Sequence, residues 1–403
     1  MMERIVNPFL TPDLPGTGGR IRSAPEDFRV DEVPLYEPCG EGTHRYLFLE
    51  KKGLPTLEAV GLLARALKRR PDEFGVAGLK DADAVTRQWI SIEHVSREEV
   101  ERLDLDRVEI LKEALHSNKL KMGHLKGNRF RIKVRGTCDG AAERAEAVIG
   151  RLKEKGVPNF YGPQRFGLFH NTHRLGEAIL KREFETFADV LVCTPRPDEG
   201  YDEVIRLYKD GDYQGALQSI GRRYKYERRV LEILSNRPGR FDRAAAGIDK
   251  RMLKFYFSAF QSHLFNQYLA RRIECIDRLE EGEIAFLHRN GASFVVEDAS
   301  LEAPRAQAFE ISPSGPIYGK KMLKARGRPG ELERTVLDEA GFTLDQIKGL
   351  FGIRLFGARR PLRVPLEACG IEEDGDGLTL SFFLPHGSYA TVLLREVTKC
   401  DEK

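Results

Sequence analysis

Asp81 lies in Gly78-Leu79-Lys80-Asp81-Ala82-Asp83-Ala84, a tight polar bend that presents its carboxylate between two short strand-like stretches. A carboxylate so placed suits chemistry; taken alone, it fits equally an Asx side chain that merely caps a turn. Its company in the chain has to decide, and that company is basic. From Ala114 to Cys138 there is no acid, while Lys119, Lys121, Lys126, Arg129, Arg131, Lys133 and Arg135 place seven cations within seventeen residues. Phosphate is their obvious counterion. Arg222, Arg223, Tyr224, Lys225, Tyr226, Arg228 and Arg229 mix cations with aromatic rings as single-stranded RNA surfaces do. Val230, Leu231 and Leu234 behind them also fit an amphipathic helix with a basic outer face. Lys320, Lys321, Lys324, Arg326 and Arg328, among Gly319, Gly327 and Gly330, read as a flexible basic loop.

The elements that position these residues follow from periodicity. Val76 to Leu79 is a short apolar run, and from Thr86 the alternation through Ile92 has the period of two of a strand, so Asp81 sits at a strand exit. Arg129, Arg131, Lys133 and Arg135 alternate with Phe130, Ile132 and Val134, which turns a basic face outward and an apolar face inward. A plain solvated strand would show the same pattern, and Phe130 on spacing alone packs inward. Thr56 is placed to cap a helix with Leu57, Val60, Leu63, Ala64 and Leu67 on one face, stopped by Pro71. Asp139 opens a second helix, 141–155, closed by Gly156. Val157 to Gly167, dense in aromatics, glycine and proline, reads as a junction. Beyond it the pattern is mainly helical to about Gly341, with a strong helix from about Asp249 to Leu279 carrying His263, a packed or surface residue rather than a base. After Asp345 short strands return, Thr379 to Leu384 among them, and Ser388 is placed to cap a terminal helix. Strands, helices, then strands predict an α+β domain interrupted by an insertion.

Composition excludes several classes. The 403 residues hold 41% hydrophobic side chains, enough for two domains or one with a large insertion. No run of about 18 apolar residues occurs, and Met1 to Leu10 lacks the organisation of a signal peptide, which predicts a cytoplasmic protein off the membrane. Six scattered cysteines support neither a zinc site nor a disulfide framework. No Walker A loop, GxGxxG turn, GxSxG elbow or HExxH helix is present. Asp81 and Asp83 start a calcium-loop spacing that Val85 breaks. Metal and nucleotide-cofactor chemistry are not predicted.

The same residues coincide with the motifs of one family. The chain resembles the TruD-type tRNA pseudouridine synthases, most of all their archaeal branch. The resemblance rests on Pro25-Glu26-Asp27-Phe28, Gly78 to Gln88, Gly127-Asn128-Arg129-Phe130, Val157 to Gly167, Ala259 to Asn266, and Leu384 to Thr391, in that order. It implies a pseudouridine synthase domain on a mixed, mostly antiparallel sheet, residues 1–163 and 345–403, interrupted by a mainly helical α/β insertion, residues 164–344. It implies isomerisation of uridine in tRNA, typically uridine 13 of the D arm, by a monomer with no cofactor, no metal and no protein partner.

By the same resemblance Asp81 is the catalytic carboxylate, attacking C1′ or removing a sugar proton to give a glycal, and in either role ionised. Arg22 occupies the position of its supporting cation. Lys80, the local competitor, points away if the segment is extended. Phe130 resembles the ring that stacks on the extruded base and Asn128 the amide that hydrogen-bonds it; Phe28 and Tyr389 stand at the other substrate positions. Arg129, Arg131, Arg165, Arg222, Arg223, Lys320 and Lys321 are the candidate RNA contacts. A non-catalytic RNA-binding protein would also need basic surface and aromatics, but not a carboxylate beside a stacking ring. A nucleoside hydrolase would need the carboxylate, but not three basic clusters.

Overall fold

Alternation along the strands builds the sheet that carries Asp81. The computed structural model describes residues 7–401, so residues 1–6 of the stretch Met1 to Leu10 lie outside the described residues. The strands of the first compact unit, Phe9–Val157 with the stretch from Val364, are β1 (Phe28–Pro34), β2 (His44–Lys52), β3 (Gly75–Val76), β4 (Val85–Glu93), β5 (Val108–His116), β6 (Leu125–Arg135), β7 (Glu367–Asp374) and β8 (Gly377–Pro385). They form one sheet in the order β7-β8-β6-β1-β4-β2-β5, with β3 on β4. Every pair is antiparallel except β1 with β4, so the sheet is mixed and mostly antiparallel and the fold class is α+β. The chain's two ends meet in the pairing of β8 with β6, from Gly377 opposite Arg135 to Pro385 opposite Gly127. On β6 Phe130, Ile132 and Val134 are buried and Arg129 and Arg131 exposed, as the period of two requires.

Under β2 and β4 a core of Leu47, Leu49, Ile90 and Ile92 takes up Ala59, Val60, Leu63 and Ala64 of the helix Thr56–Ala66. The helix Ala141–Lys155 packs on Ala390–Thr398 and on β7 and β8. It runs between Gly140 at φ 71° and Gly156 at φ 89°, conformations that favour glycine. Three predicted caps are corrected. Gly140, not Asp139, takes the N-cap position of Ala141–Lys155, with no side-chain cap. Pro55 takes the N-cap position and Thr56 turns its hydroxyl inward to the Asp81 loop; Tyr389, not Ser388, precedes the last helix, and neither supplies a side-chain cap.

The second compact unit, Pro158–Arg363, is mainly helical. Its longest helix, Lys250–Arg272, is capped by Asp249, whose Oδ1 accepts from Met252 N at 3.0 Å. It ends at Arg272, short of Leu279, and passes into a short 3-10 turn, Ile273–Cys275; the Arg272 side chain donates to the carbonyl of Arg278 (2.9 Å) and pairs with Glu283 (3.1 Å). Ala358–Pro361, Ile311–Ile317, Ile284–Leu287 and Ser293–Val295 form a four-stranded sheet, three of whose strands fall where the pattern reads as mainly helical. The basic stretch 320–328 is a loop only as far as Arg326; Gly327 opens the helix Gly327–Glu339. The unit begins earlier and ends later than 164–344 because both flanks hydrogen-bond into it. Asn159 N donates to Leu362 O at 2.8 Å, Arg360 reaches Asn159 Oδ1 at 2.7 Å, and Ala358–Pro361 pairs with Ile311–Ile317. Among the described residues no helix is long and apolar enough to cross a membrane.

Candidate active site

One edge of β4 is shared by two strands, β1 along Val85–Arg87 and β3 at Ile90 and Ser91. The connection from β3 to β4 carries Asp81. Its Oδ2 accepts from Arg22 Nη2 at 3.1 Å, with the carboxylate 55% exposed and so open to a substrate. Arg22 takes a left-handed φ of 60°, and its guanidinium lies 4.4 Å from the centroid of the Phe28 ring. One cation thus touches both the carboxylate and a ring of the candidate substrate site.

Buried polar groups hold the loop from beneath. Thr56 Oγ1 accepts from Lys80 N and donates to Gln88 Oε1, both at 2.8 Å, and Gln88 Nε2 donates to Gly78 O at 3.4 Å. Lys80 points away from Asp81 to a buried ion pair with Glu32 Oε2 at 2.8 Å, and Glu32 Oε1 accepts from Trp89 N. Lys51 Nζ donates to Asp81 O at 3.1 Å and to Leu54 O.

The aromatic groups share one sheet face. Phe130 stands opposite Val30 of β1 and Phe382 of β8, stacks on Phe382 at 5.2 Å, and meets Phe28 edge-on at 6.4 Å. Asn128, one pleat repeat along, faces the same way, opposite Glu32 and Leu384. Its Oδ1 is buried and has no hydrogen-bond partner among the described residues. Gly127 beside it has room for no side chain, since a Cβ there would meet the Leu384 carbonyl and the Phe383 ring. Tyr389 follows β8, whose end lies at Gly127 and is extended by His386 N donating to Lys126 O at 3.1 Å.

The family model for tRNA pseudouridine synthase D (TruD) matches residues 6–397. The chain belongs to the TruD family. A tRNA pseudouridine synthase D of Geobacter sp. (strain M21) is 45% identical over 98% of this chain and 99% of its own length. One from a strain of Thermus thermophilus is 42% identical over 98% and 92%. A TruD crystal structure from Methanosarcina mazei superposes with a TM-score of 0.82 at 30% identity, over 98% and 97%. These sequence relatives are bacterial, whereas the resemblance pointed to the archaeal branch; the archaeal chain is the more distant of the three.

The TruD motif residues Phe28, Asp81 and Phe130 are thus linked by contact through Arg22, with Asn128 on the shared face. The basic candidates are more dispersed. Arg129 is exposed, but Arg131 pairs with Glu372 at 3.0 Å, Lys133 with Asp374, and Arg135 with Asp27 (2.7 Å) and Asp376 (2.9 Å). The hairpin of β7 and β8 supplies three of these acids, so the face read as bare cation is largely neutralised. In the second unit Arg165 Nε donates to Ser262 Oγ at 2.9 Å, and Arg223 pairs with Asp198 over the Tyr224 ring. Arg222 lines a cavity of about 420 Å³ with Lys225, Arg228 and Arg229. Lys320 is tied through its backbone N–H to Leu355 O at 2.9 Å, and Lys321 is exposed. His263 is packed, stacked on His173 at 4.4 Å, and burial pushes its pKa down. Phe382 and Lys51 went unnoticed in the sequence. The available signal was period two: each stands on the inward face of its strand, where a lysine is out of place.

Proposed function

We propose that this chain converts uridine 13 in the D arm of tRNA to pseudouridine, with Asp81 as the carboxylate that acts on the ribose. Family membership carries the reaction class, an intramolecular transfer catalysed by an isomerase. The N1–C1′ bond breaks, the uracil turns in place, C5 bonds to C1′, and the C5 proton is lost as N1 gains one. The observation that carries the residue assignment is the Arg22–Asp81 contact. A carboxylate is required whether it attacks C1′ or removes a sugar proton, and the guanidinium 3.1 Å away gives it a cationic partner on the side that meets the candidate substrate ring.

A uridine can reach Asp81 only out of its stack, and it must then find replacements for stacking and pairing. Phe130, backed by Phe382 and flanked by Phe28, supplies the ring surface, and Tyr389 a further contact. Asn128 Oδ1, sequestered and unpaired, suits the N3–H of uracil. The family's insertion, read at 164–344 and lying within the compact unit Pro158–Arg363, contributes phosphate contacts through Arg165, Arg222, Arg223, Lys320 and Lys321, alongside Arg129 and Arg131. The enzyme works in the cytoplasm as a monomer without a protein partner.

The test is tritium release from tRNA transcript labelled at C5 of uridine. Wild type is expected to release it, and Asp81→Asn to lose at least about 100- to 10,000-fold in rate while still binding tRNA. Salt-sensitive binding without release by wild type would overturn the enzyme reading and leave an RNA-binding protein.

A further inference from the structure

The Asp81 loop rests on a lysine that nothing in the family motifs singles out. Lys51 ends the inward-facing series of β2, after Leu47 and Leu49, and is 1% exposed. Its two hydrogen bonds go to main-chain carbonyls on two different segments: Leu54, just past β2, and Asp81 itself in the bend. A charged amine in so dry a place is destabilising unless its protons find acceptors. Here the acceptors belong to the two segments whose separation sets where the carboxylate stands.

We infer that Lys51 is a positioning residue for the reaction: by bonding the carbonyls of Leu54 and Asp81 together, its buried ammonium holds the Asp81 carboxylate at the place from which it meets the ribose. This rests on Asp81 being the reacting carboxylate. Thr56 fixes the loop one residue earlier, through Lys80 N, so the two ties hold consecutive residues. Without Lys51, residue 81 is the first position free to swing, and a displacement of about 1 Å at a reacting group can cost about 100-fold in rate.

The same burial makes the tie sensitive to pH. Burial pushes the Lys51 ammonium down to about 8, Lys80 acts in the same direction, and the Asp81 charge opposes both. The cross-strand neighbours Thr86 of β4 and Val108 of β5 carry no charge. Below about pH 8 the ammonium clamps both carbonyls; above it the neutral amine holds them more weakly, so turnover falls as pH rises through that value.

The test compares single-turnover rates on tRNA transcript across pH for the full-length wild type, Lys51→Met, Lys51→Arg and Asp81→Asn, with the tRNA dissociation constant measured for each. Lys51→Met is expected to be about 10- to 100-fold slower with unchanged tRNA affinity and without the alkaline fall of wild type. Lys51→Arg, charged throughout, is expected to recover much of the rate and hold it above about pH 8. A Lys51→Met enzyme with the wild-type rate and alkaline fall overturns the inference. If that variant does not fold, Lys51→Arg decides: loss of the alkaline fall supports the inference and an unchanged profile overturns it. A wild-type rate that stays flat through the alkaline range overturns the pH dependence assigned to the tie, and the Lys51→Met rate then decides the positioning role. Asp81→Asn separates the two readings, since turnover retained there removes the role of Asp81, whereas turnover lost there with Lys51→Met unaffected removes only that of Lys51.

Discussion

At the scale of single residues, Arg22 joins charge to stacking. Its left-handed backbone costs about 1–2 kcal/mol for a residue with a Cβ, and the surrounding contacts to Asp81 and Phe28 hold it there. A planar guanidinium can lie on a ring while one edge reaches a carboxylate; a lysine ammonium is a point charge and does one of these at a time. Arg22→Met is therefore expected to slow single-turnover isomerisation about 10- to 1,000-fold, with Arg22→Lys between it and wild type. Equal rates for Arg22→Met and wild type would refute the role of this cation. Asp81, Phe28 and Phe130 were legible in the sequence because each sits in a motif, and Arg22 because it stands where the resemblance puts a cation. Lys51 and Phe382 were not, since the Asp81 carbonyl and the Phe130 ring that they meet lie on segments distant in the chain.

At the scale of elements, the helix Thr56–Ala66 and the Asp81 loop are one assembly. Thr56 is predicted as a cap from its place before an amphipathic run, a reading that considers only local neighbours. Pro55 already sets the extended entry of that helix, and the Thr56 hydroxyl bonds Lys80 N and Gln88 Oε1, 24 and 32 residues away. Thr56→Val keeps the branched shape and removes both bonds, leaving buried polar groups unpaired. It is expected to lower stability by about 1–3 kcal/mol, read as a lower denaturant midpoint with unchanged slope, and to slow turnover by releasing the loop. An unchanged midpoint would show that the hydroxyl does not hold it. The strand β6 teaches the same lesson: its alternation was legible, but its partners Glu372, Asp374 and Asp376 come from a hairpin some 240 residues later.

At the scale of the whole molecule, buried histidines tie the stability of one compact unit to pH. The unit Pro158–Arg363 buries histidines: burial lowers the pKa of His173 to about 3 and of His288 to about 4, and lowers that of His263 as well. Each is neutral when folded, while in the unfolded chain each takes up a proton near pH 6.5. The unfolded state therefore binds more protons between those values, and the stability of this unit is full above about pH 6.5 and falls on acidification, by up to about 1.4 kcal/mol per pH unit for each histidine. Thermal unfolding from neutral pH to about pH 4 should show the loss, and His173→Phe should lessen it; equal acid sensitivity of variant and wild type would refute the assignment. By itself the sequence determined the α+β class, the inward and outward faces of the strands, the family and the residues of its motifs, because periodicity and motif spacing are local properties of a chain. Only the tertiary structure decided that Thr56 and Lys51 hold the Asp81 loop, that Phe382 backs Phe130, and that acids of β7 and of its turn into β8 quench the basic face of β6. Those contacts depend on register between segments far apart in the chain, where a slip of one residue would turn every side chain of a strand to the opposite face.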